Sequence, residues 1–558
     1  MKTIIYQTLP RLFGNYNEKL VKNGNLSENG CGKFNSYTNK ALASIKALGI
    51  THIWFTGVIR HATLTDYQAY GIEKDHCAIV KGKAGSPYAI KDYYDVDCDL
   101  AENVKDRMSE FESLVKRTHE AGLKVIIDFV PNHVARNYKS LMKPAYIEDL
   151  GQNDHTNRAF DAMNNFYYLP GQHLELQSEE AEEDFEYSEF PAKVTGNDCF
   201  KVIPDCNDWY ETVKLNYGVD YQNGHTENFT PVPNTWEKML DILLFWTSKN
   251  IDGFRCDMAE MVPVEFWKWV IPHVKSRNNV SFIAEVYNPS LYYDFIKNGK
   301  FDILYDKVGM YDTLRNVICG KSSANELSSS WQETGDIQKN MLYFLENHDE
   351  QRIASDYFAG NSKIGIPAFA YLSMLNTNPV MIYNGQELGE RGMDEEGFSG
   401  RDGKTTIFDY WSMKSIRNWA NKGNFDGEQL TAEELSLRNE YKKILHLVNE
   451  EKAFSEGSFY GLDFFNDYPS DRITSFLRKY GNELLLVVVN FDTQAHEVNI
   501  KFPKNAFETL NIQDNIVSMT KNLITGEETI SALTQHSPFR IKVASVCYNI
   551  LKFCLLTE

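Results

Sequence analysis

Eight short apolar runs, separated by helical stretches, constrain this chain more than any other feature it has. They are TIIYQTL from Thr3, THIWFTG from Thr51, LKVIIDFV from Leu123, IDGFRCDM from Ile251, SFIAEV from Ser281, FDILYD from Phe301, NMLYFLEN from Asn340 and PVMIYNG from Pro379. Most lack polar alternation, the mark of parallel strands covered on both faces. Between them, NKALASIKALG from Asn39, closing at Gly49, and TWEKMLDILLFWTSKN from Thr235 carry apolar residues at helical spacing. Strands alternating with helices through right-handed crossovers predict an α/β chain closed into a (β/α)8 barrel.

Two stretches break the alternation. Residues 134–216 are too long for a βα loop, which rarely exceeds ~15 residues, so an inserted domain is expected there, splitting the barrel into residues 1–133 and 217–453. Its acidic run SEEAEEDFEYSE, from Ser178, reads as a solvated loop. After Phe454 the segments RITSFLRKY, ELLLVVVNFD, HEVNIKF and SVCYNILKF follow one another with turn signals. They predict a C-terminal antiparallel β-sandwich over residues 454–558, expected to cap the barrel.

A formal net charge of −20 over 558 residues repels polyanions and argues against a nucleic-acid partner. The nine cysteines form no C-x-x-C pair, and most are expected as buried small apolar residues. No apolar run approaches the ~20 residues of a membrane span. The opening MKTIIYQTLPRLFG lacks the apolar core of an export signal, so the chain as written points to the cytoplasm; a signal removed beforehand would reverse that. Oligomeric state is left open.

In such barrels the active groups project from the C-terminal ends of the strands. Four runs end in polar residues: IIDFVPNH with Asp128, Asn132 and His133; GFRCD with Arg255 and Asp257; FIAEV with Glu285; FLENHD with His348 and Asp349. Glycoside cleavage needs one carboxylic acid to protonate the leaving oxygen and one carboxylate at the anomeric carbon. Arg255, two residues before Asp257, faces the same side of its strand and would keep it ionised. Glu285 follows Phe282, Ile283 and Ala284, so an apolar surround that favours its protonated form is expected.

DFVPNH, GFRCDMAE, FIAEV and ENHD, in that order, resemble the four signature segments of glycoside hydrolase family 13, the α-amylase family. The likeness extends to IIYQTLPRLFG, to PVMIYNGQELG, to the insertion as a domain B and to the tail as a domain C. It implies Asp257 as nucleophile, Glu285 as general acid/base and Asp349 as the third carboxylate. His133 and His348 would hydrogen-bond the −1 sugar, with Asp128 and Arg255 as a supporting ion pair. Within SPYAIKDYY, Tyr88 and Asp92 fit the family's Tyr-x-x-x-Asp spacing, which implies substrate contact.

Two departures stand out. Glu260 and Met261 occupy positions where many relatives have Lys-His, and VKLN carries Lys214 where an Asp is usual. The resemblance implies no required cofactor. Calcium is possible through Asn132, but Lys214 brings a cation close by. The Asn/Gly-rich loop from Lys22 offers only Glu28 as a carboxylate, so the ligand pattern does not support a metal. The implied activity is a retaining α-1,4-glucan hydrolase acting on starch, glycogen or maltooligosaccharides. A 4-α-glucanotransferase on the same fold is the alternative. A catalytically inactive sugar-binding protein is a third reading, weakened because all three carboxylate positions are filled.

Overall fold

A computed structural model describes residues 2–176, 187–205 and 207–555. Each apolar run supplies one strand of a parallel barrel: β1 Ile4–Thr8, β2 His52–Phe55, β3 Lys124–Phe129, β4 Gly253–Cys256, β5 Ser281–Ala284, β6 Ile303–Tyr305, β7 Met341–Leu342 and β8 Val380–Tyr383. The hydrogen-bonded order is β8-β1-β2-β3-β4-β5-β6-β7, and a parallel bridge between Tyr343 and Val380 joins the two ends. Side chains alternate between two apolar environments. Ile5, Trp54, Ile126, Ile283, Tyr305, Leu342 and Met381 share one cluster inside the ring, while Ile4, Tyr6, Ile53, Phe55, Val125 and Ile127 pack against the surrounding helices. Burial on both faces is the physical reason the runs show no polar alternation.

The helices follow their local signals. Asn39–Lys46 starts where the Thr38 side chain accepts from Ala41 N, and the chain turns away through Gly49 at φ +102°. Helix Asn234–Thr247 buries Trp236, Met239, Ile242, Leu243 and Trp246, and Trp246 Nε1 donates to Tyr93 O at 2.7 Å. The loop from Lys22 is organised as a turn: Asn25 and Glu28 cap a single helical turn, Leu26–Asn29, so Glu28 is engaged in capping. Among the described residues no helix is long and apolar enough to cross a membrane.

The stretch after β3 holds short antiparallel pairs, His133–Ala135 with Thr212–Lys214 and Tyr168–Leu169 with Ala192–Lys193. Around the second pair Tyr167, Leu169, Leu174, Ala192 and Val194 form a small apolar cluster of their own. Residues 178–186 of the acidic run lie outside the described residues. Its last carboxylate, Glu189, is not solvated: it is buried, 2.8 Å from Arg136 Nη1.

The C-terminal strands are β9 Ser458–Gly461, β10 Ile473–Tyr480, β11 Glu483–Asn490, β12 His496–Ile500, β13 Ile516–Asn522, β14 Glu528–Leu533, β15 Phe539–Val543 and β16 Cys547–Cys554. An antiparallel sheet β9-β10-β11-β16-β13-β14 is accompanied by the pair β12-β15. In β11, Leu485, Val487 and Val489 join the barrel's core, whereas Leu484, Leu486 and Val488 join a second core with Val498, Ile500 and Val543. Arg478 is fully buried and donates to the carbonyls of Leu375, Ala453 and Gly457, tying the sheet to the barrel. The cysteines depart from expectation. Of those described, only Cys98 and Cys256 are buried, and Cys77 and Cys554 are exposed.

Candidate active site

The site is built around Arg255. Strand register sets Arg255 of β4 beside Asp128 of β3 and Ile283 of β5, with Asp257 just past the strand end. Arg255 Nη1 donates to Asp257 Oδ1 at 2.7 Å and lies 3.6 Å from Asp128 Oδ1. Nη2 lies 2.7 Å from Glu285 Oε1, an ion-pair contact without hydrogen-bond alignment. Nε donates to Tyr305 Oη at 3.3 Å, and the rings of Trp54, Tyr88 and Tyr305 surround the guanidinium at 5.3–5.4 Å. Asp128 also accepts from Trp54 Nε1 at 3.1 Å and Gly57 N at 3.2 Å.

One cation thus faces three carboxylates in a buried setting, where burial favours neutral carboxyls. Burial pushes Asp128 up to about 6 against the pull of Arg255. It also raises Asp257 well above the usual range; Arg255 opposes the rise and Glu285 adds to it. The guanidinium stays charged, since its carboxylate neighbours outweigh its own desolvation.

Glu285 does not have the apolar surround expected from its strand. Tyr287 Oη donates to Oε1 at 2.6 Å, Met258 N donates to Oε2 at 2.7 Å, and Arg255 adds the ion pair. The residues before Glu285 in β5 point into the barrel or its outer layer, so its environment is set by the loop after β4. Met258 holds φ +41°, left-handed backbone uncommon for a side chain of this size. Glu260 does not extend toward the cleft as a sugar contact: its Oε2 accepts from Tyr287 N at 3.0 Å and Asn288 N at 2.9 Å, fixing the loop that carries Tyr287.

Beyond β7, His348 Nε2 lies 3.1 Å from Asp349 Oδ2 and also bonds Tyr88 Oη, while Gln7 Nε2 meets His348 Nδ1 at 2.8 Å. The Tyr88 and His348 rings stack with centroids 5.3 Å apart. Asp349 is the open carboxylate of the set, its side chain 40% exposed against 8% for Asp257 and 3% for Glu285. His133 Nε2 stands 4.0 Å from Asp257 Oδ2, with the Trp209 ring 5.1 Å from its own. Burial, helped by Lys214, lowers His133 to about 3, and burial lowers His348 well below 6.5, so both are neutral near pH 7.

Asp92 does not join this group. It is fully buried, accepting from Arg60 Nη2 at 3.2 Å, Leu141 N at 2.7 Å, Met142 N at 3.1 Å and the Ser140 hydroxyl. It anchors the start of the insertion instead of contacting substrate. Asn132 turns its Oδ1 to Lys214 Nζ at 3.0 Å. Gln7, Trp54, Tyr305 and Tyr287 were missed by reasoning from sequence. Tyr305 ends its strand and Gln7 stands one residue before the end of its own, a signal that was present. Trp209 and Met258 gave none.

A ring of carboxylates about one arginine stands at the C-terminal end of a (β/α)8 barrel, the end from which such barrels present their active groups. Residues 7–452 match the family model of the α-amylase catalytic domain, so the chain belongs to the α-amylase family. The α-amylase MalA of Haloarcula japonica is 23% identical over 475 residues, 84% of this chain and 54% of that protein, about half its length. α-Amylase 3 of Dictyoglomus thermophilum is 24% identical over 447 residues, 75% of this chain and 79% of that one. Among solved structures, the maltogenic α-amylase AmyB of Thermotoga neapolitana shares the fold with a TM-score of 0.64, 24% identity and 99% coverage of both chains.

Proposed function

We propose that this chain hydrolyses α-1,4-glucosidic bonds of starch, glycogen or maltooligosaccharides with retention of configuration. The observation that carries the reading is the single guanidinium of Arg255 touching both Asp257 and Glu285. It keeps the two carboxyl groups close, as retention with groups about 5–5.5 Å apart requires. Asp257 Oδ2 is the oxygen not bonded to Arg255 and is free to attack the anomeric carbon. As that bond forms, the glycosidic C–O bond breaks and the leaving oxygen takes the proton of Glu285. Glu285 then removes a proton from water, whose oxygen attacks the same carbon and releases Asp257. Presenting an O–H to the glycosidic oxygen from Oε1 would compete with Tyr287 Oη, and from Oε2 with Met258 N. Asp349, with its exposed carboxylate, and the neutral His133 and His348 are placed to hydrogen-bond sugar hydroxyls. The relatives that carry the name α-amylase support the amylase reading.

A second reading, transfer to a sugar hydroxyl in place of water, has one observation in its favour. Glu260 is spent on fixing the loop that carries Tyr287 beside the acid/base, so the position matched to the Lys of the Lys-His pair offers no cation to a sugar. A time course on maltoheptaose, pullulan and soluble starch tests both. Shorter maltooligosaccharides alone are expected. Products longer than the substrate would establish transfer, and the absence of any product would overturn the reading.

A further inference from the structure

Lys214 ends the short strand Thr212–Lys214 and sits opposite His133 in its antiparallel pair. Its side chain is 1% exposed, and its ammonium lies 3.0 Å from Asn132 Oδ1 and 2.5 Å from Asp198 Oδ1, with the Tyr221 ring at 5.1 Å. Asn132 is held in that orientation. Its Nδ2 donates to Gly196 O at 2.7 Å, and its backbone carbonyl accepts from Leu215 N at 2.9 Å. Gly196 in turn lies against the active-site histidine: a Cβ there would stand 2.9 Å from His133 Cβ. Asp198 adopts φ +66° to bring its carboxylate to the ammonium. One buried charge therefore ties together the end of β3, the turn at residues 196–198 and the strand that ends the insertion.

A buried cation is tolerated only when paired and hydrogen-bonded, and this one has both kinds of partner. A calcium ion would need six to eight oxygens at about 2.3–2.6 Å. Here Asn132 Oδ1 already serves the ammonium, and Asp198 is the carboxylate paired with it among the described residues. A divalent ion bound to Asn132 would stand beside a buried positive charge. The residues present do not fit the metal.

We propose that Lys214 is the built-in structural cation of the active-site rim: its ammonium, bound by Asn132 and Asp198, does the work of a bound ion and positions His133. Lys214 touches no substrate and acts through its neighbours. That the substrate readout below runs through His133 rests on the function proposed above; the unfolding readout does not.

The test compares thermal unfolding of the full chain in EDTA and in millimolar calcium chloride, for the wild type and for Lys214→Met. The wild-type midpoint is expected to be the same in both. Lys214→Met is expected to unfold roughly 5 °C or more lower and to raise KM for maltoheptaose by about tenfold, with a smaller change in kcat. Should that variant fail to fold, Asp198→Asn tests the same contact from its exposed end and should move both readouts in the same direction. A wild-type midpoint that rises with calcium or falls with EDTA would overturn the proposal. So would a variant that keeps both the midpoint and KM. Loss of all glucan hydrolysis in the wild type would sink the functional reading while the midpoints still decided the role of Lys214.

Discussion

Replacing Arg255 with methionine keeps most of the side chain's length and removes the one positive charge that three carboxylates share. Opposite unit charges about 4 Å apart gain about 4 kcal/mol at an effective dielectric constant of 20, and one pKa unit corresponds to about 1.4 kcal/mol. Loss of the guanidinium should therefore push the Asp257 carboxyl further up than the level to which burial already lifts it. A nucleophile must be ionised, so kcat/KM near pH 7 should fall by about 10³, the factor that about 4 kcal/mol represents, and the acid limb of the pH profile should move up. Stability should change with a defined sign. Buried carboxyls without their cation bind protons more tightly folded than unfolded. Their stabilising contribution is then full below the unfolded value of about 4 and is lost as pH rises through the folded values. The variant should unfold at a lower temperature at about pH 8 than at about pH 5, with a deficit of about 3–5 kcal/mol against the wild type where the carboxyls ionise. Initial rates on maltoheptaose across that range, with thermal unfolding at each pH, read both effects. An acid limb in the wild-type position, or kcat/KM at neutral pH within tenfold of wild type, would refute the reasoning.

Asp257→Asn removes the attacking oxygen's charge and should lower kcat by at least ~10³ with little change in KM; near-wild-type turnover would remove Asp257 from the nucleophile's role. Tyr88→Ala loses the ring stacked on His348 and should cost about tenfold in kcat/KM, shared between binding and turnover. An unchanged value would leave Tyr88 as barrel wall. Asp92→Asn weakens a buried carboxylate with five donors and should lower stability by about 1–3 kcal/mol, while kcat/KM of the folded enzyme stays as it was. Activity lost at an unchanged unfolding midpoint would return Asp92 to the site.

The strands and their terminal carboxylates were legible because a parallel barrel writes itself locally. An apolar run ending in a polar residue states both the strand and the end from which the side chain projects, as in β4 with Arg255 and Asp257. Asp92 misled because a Tyr-x-x-x-Asp spacing does not say which face the aspartate takes. Here the strand Ile90–Val96 turns it toward Arg60 and residues 140–142. The surround of Glu285 misled for a related reason. Its strand neighbours are apolar, but its partners come from Met258 in the preceding loop and from Tyr287, whose place depends on Glu260. Lys214 was visible as an odd cation, yet its bond to Asp198 depends on how the insertion folds back, which no local pattern encodes.

The charge balance of the site also bears on what it can accept. Arg255 answers Asp128, Asp257 and Glu285, Arg255 and Lys404 act on Asp349 against the burial that raises it, and both histidines are neutral, so the cleft gains an excess of negative potential as its carboxyls ionise. On the proposed function, that excess would favour the positive charge that develops at the anomeric carbon as the leaving oxygen departs, more in the transition state than in the neutral ground state. The same field, continued by a chain of net charge −20, opposes sugars bearing phosphate or carboxylate groups. A neutral glucan held by hydrogen bonds meets no such penalty. On the proposed function, the arrangement that would stabilise the reacting carbon would also disfavour charged sugars.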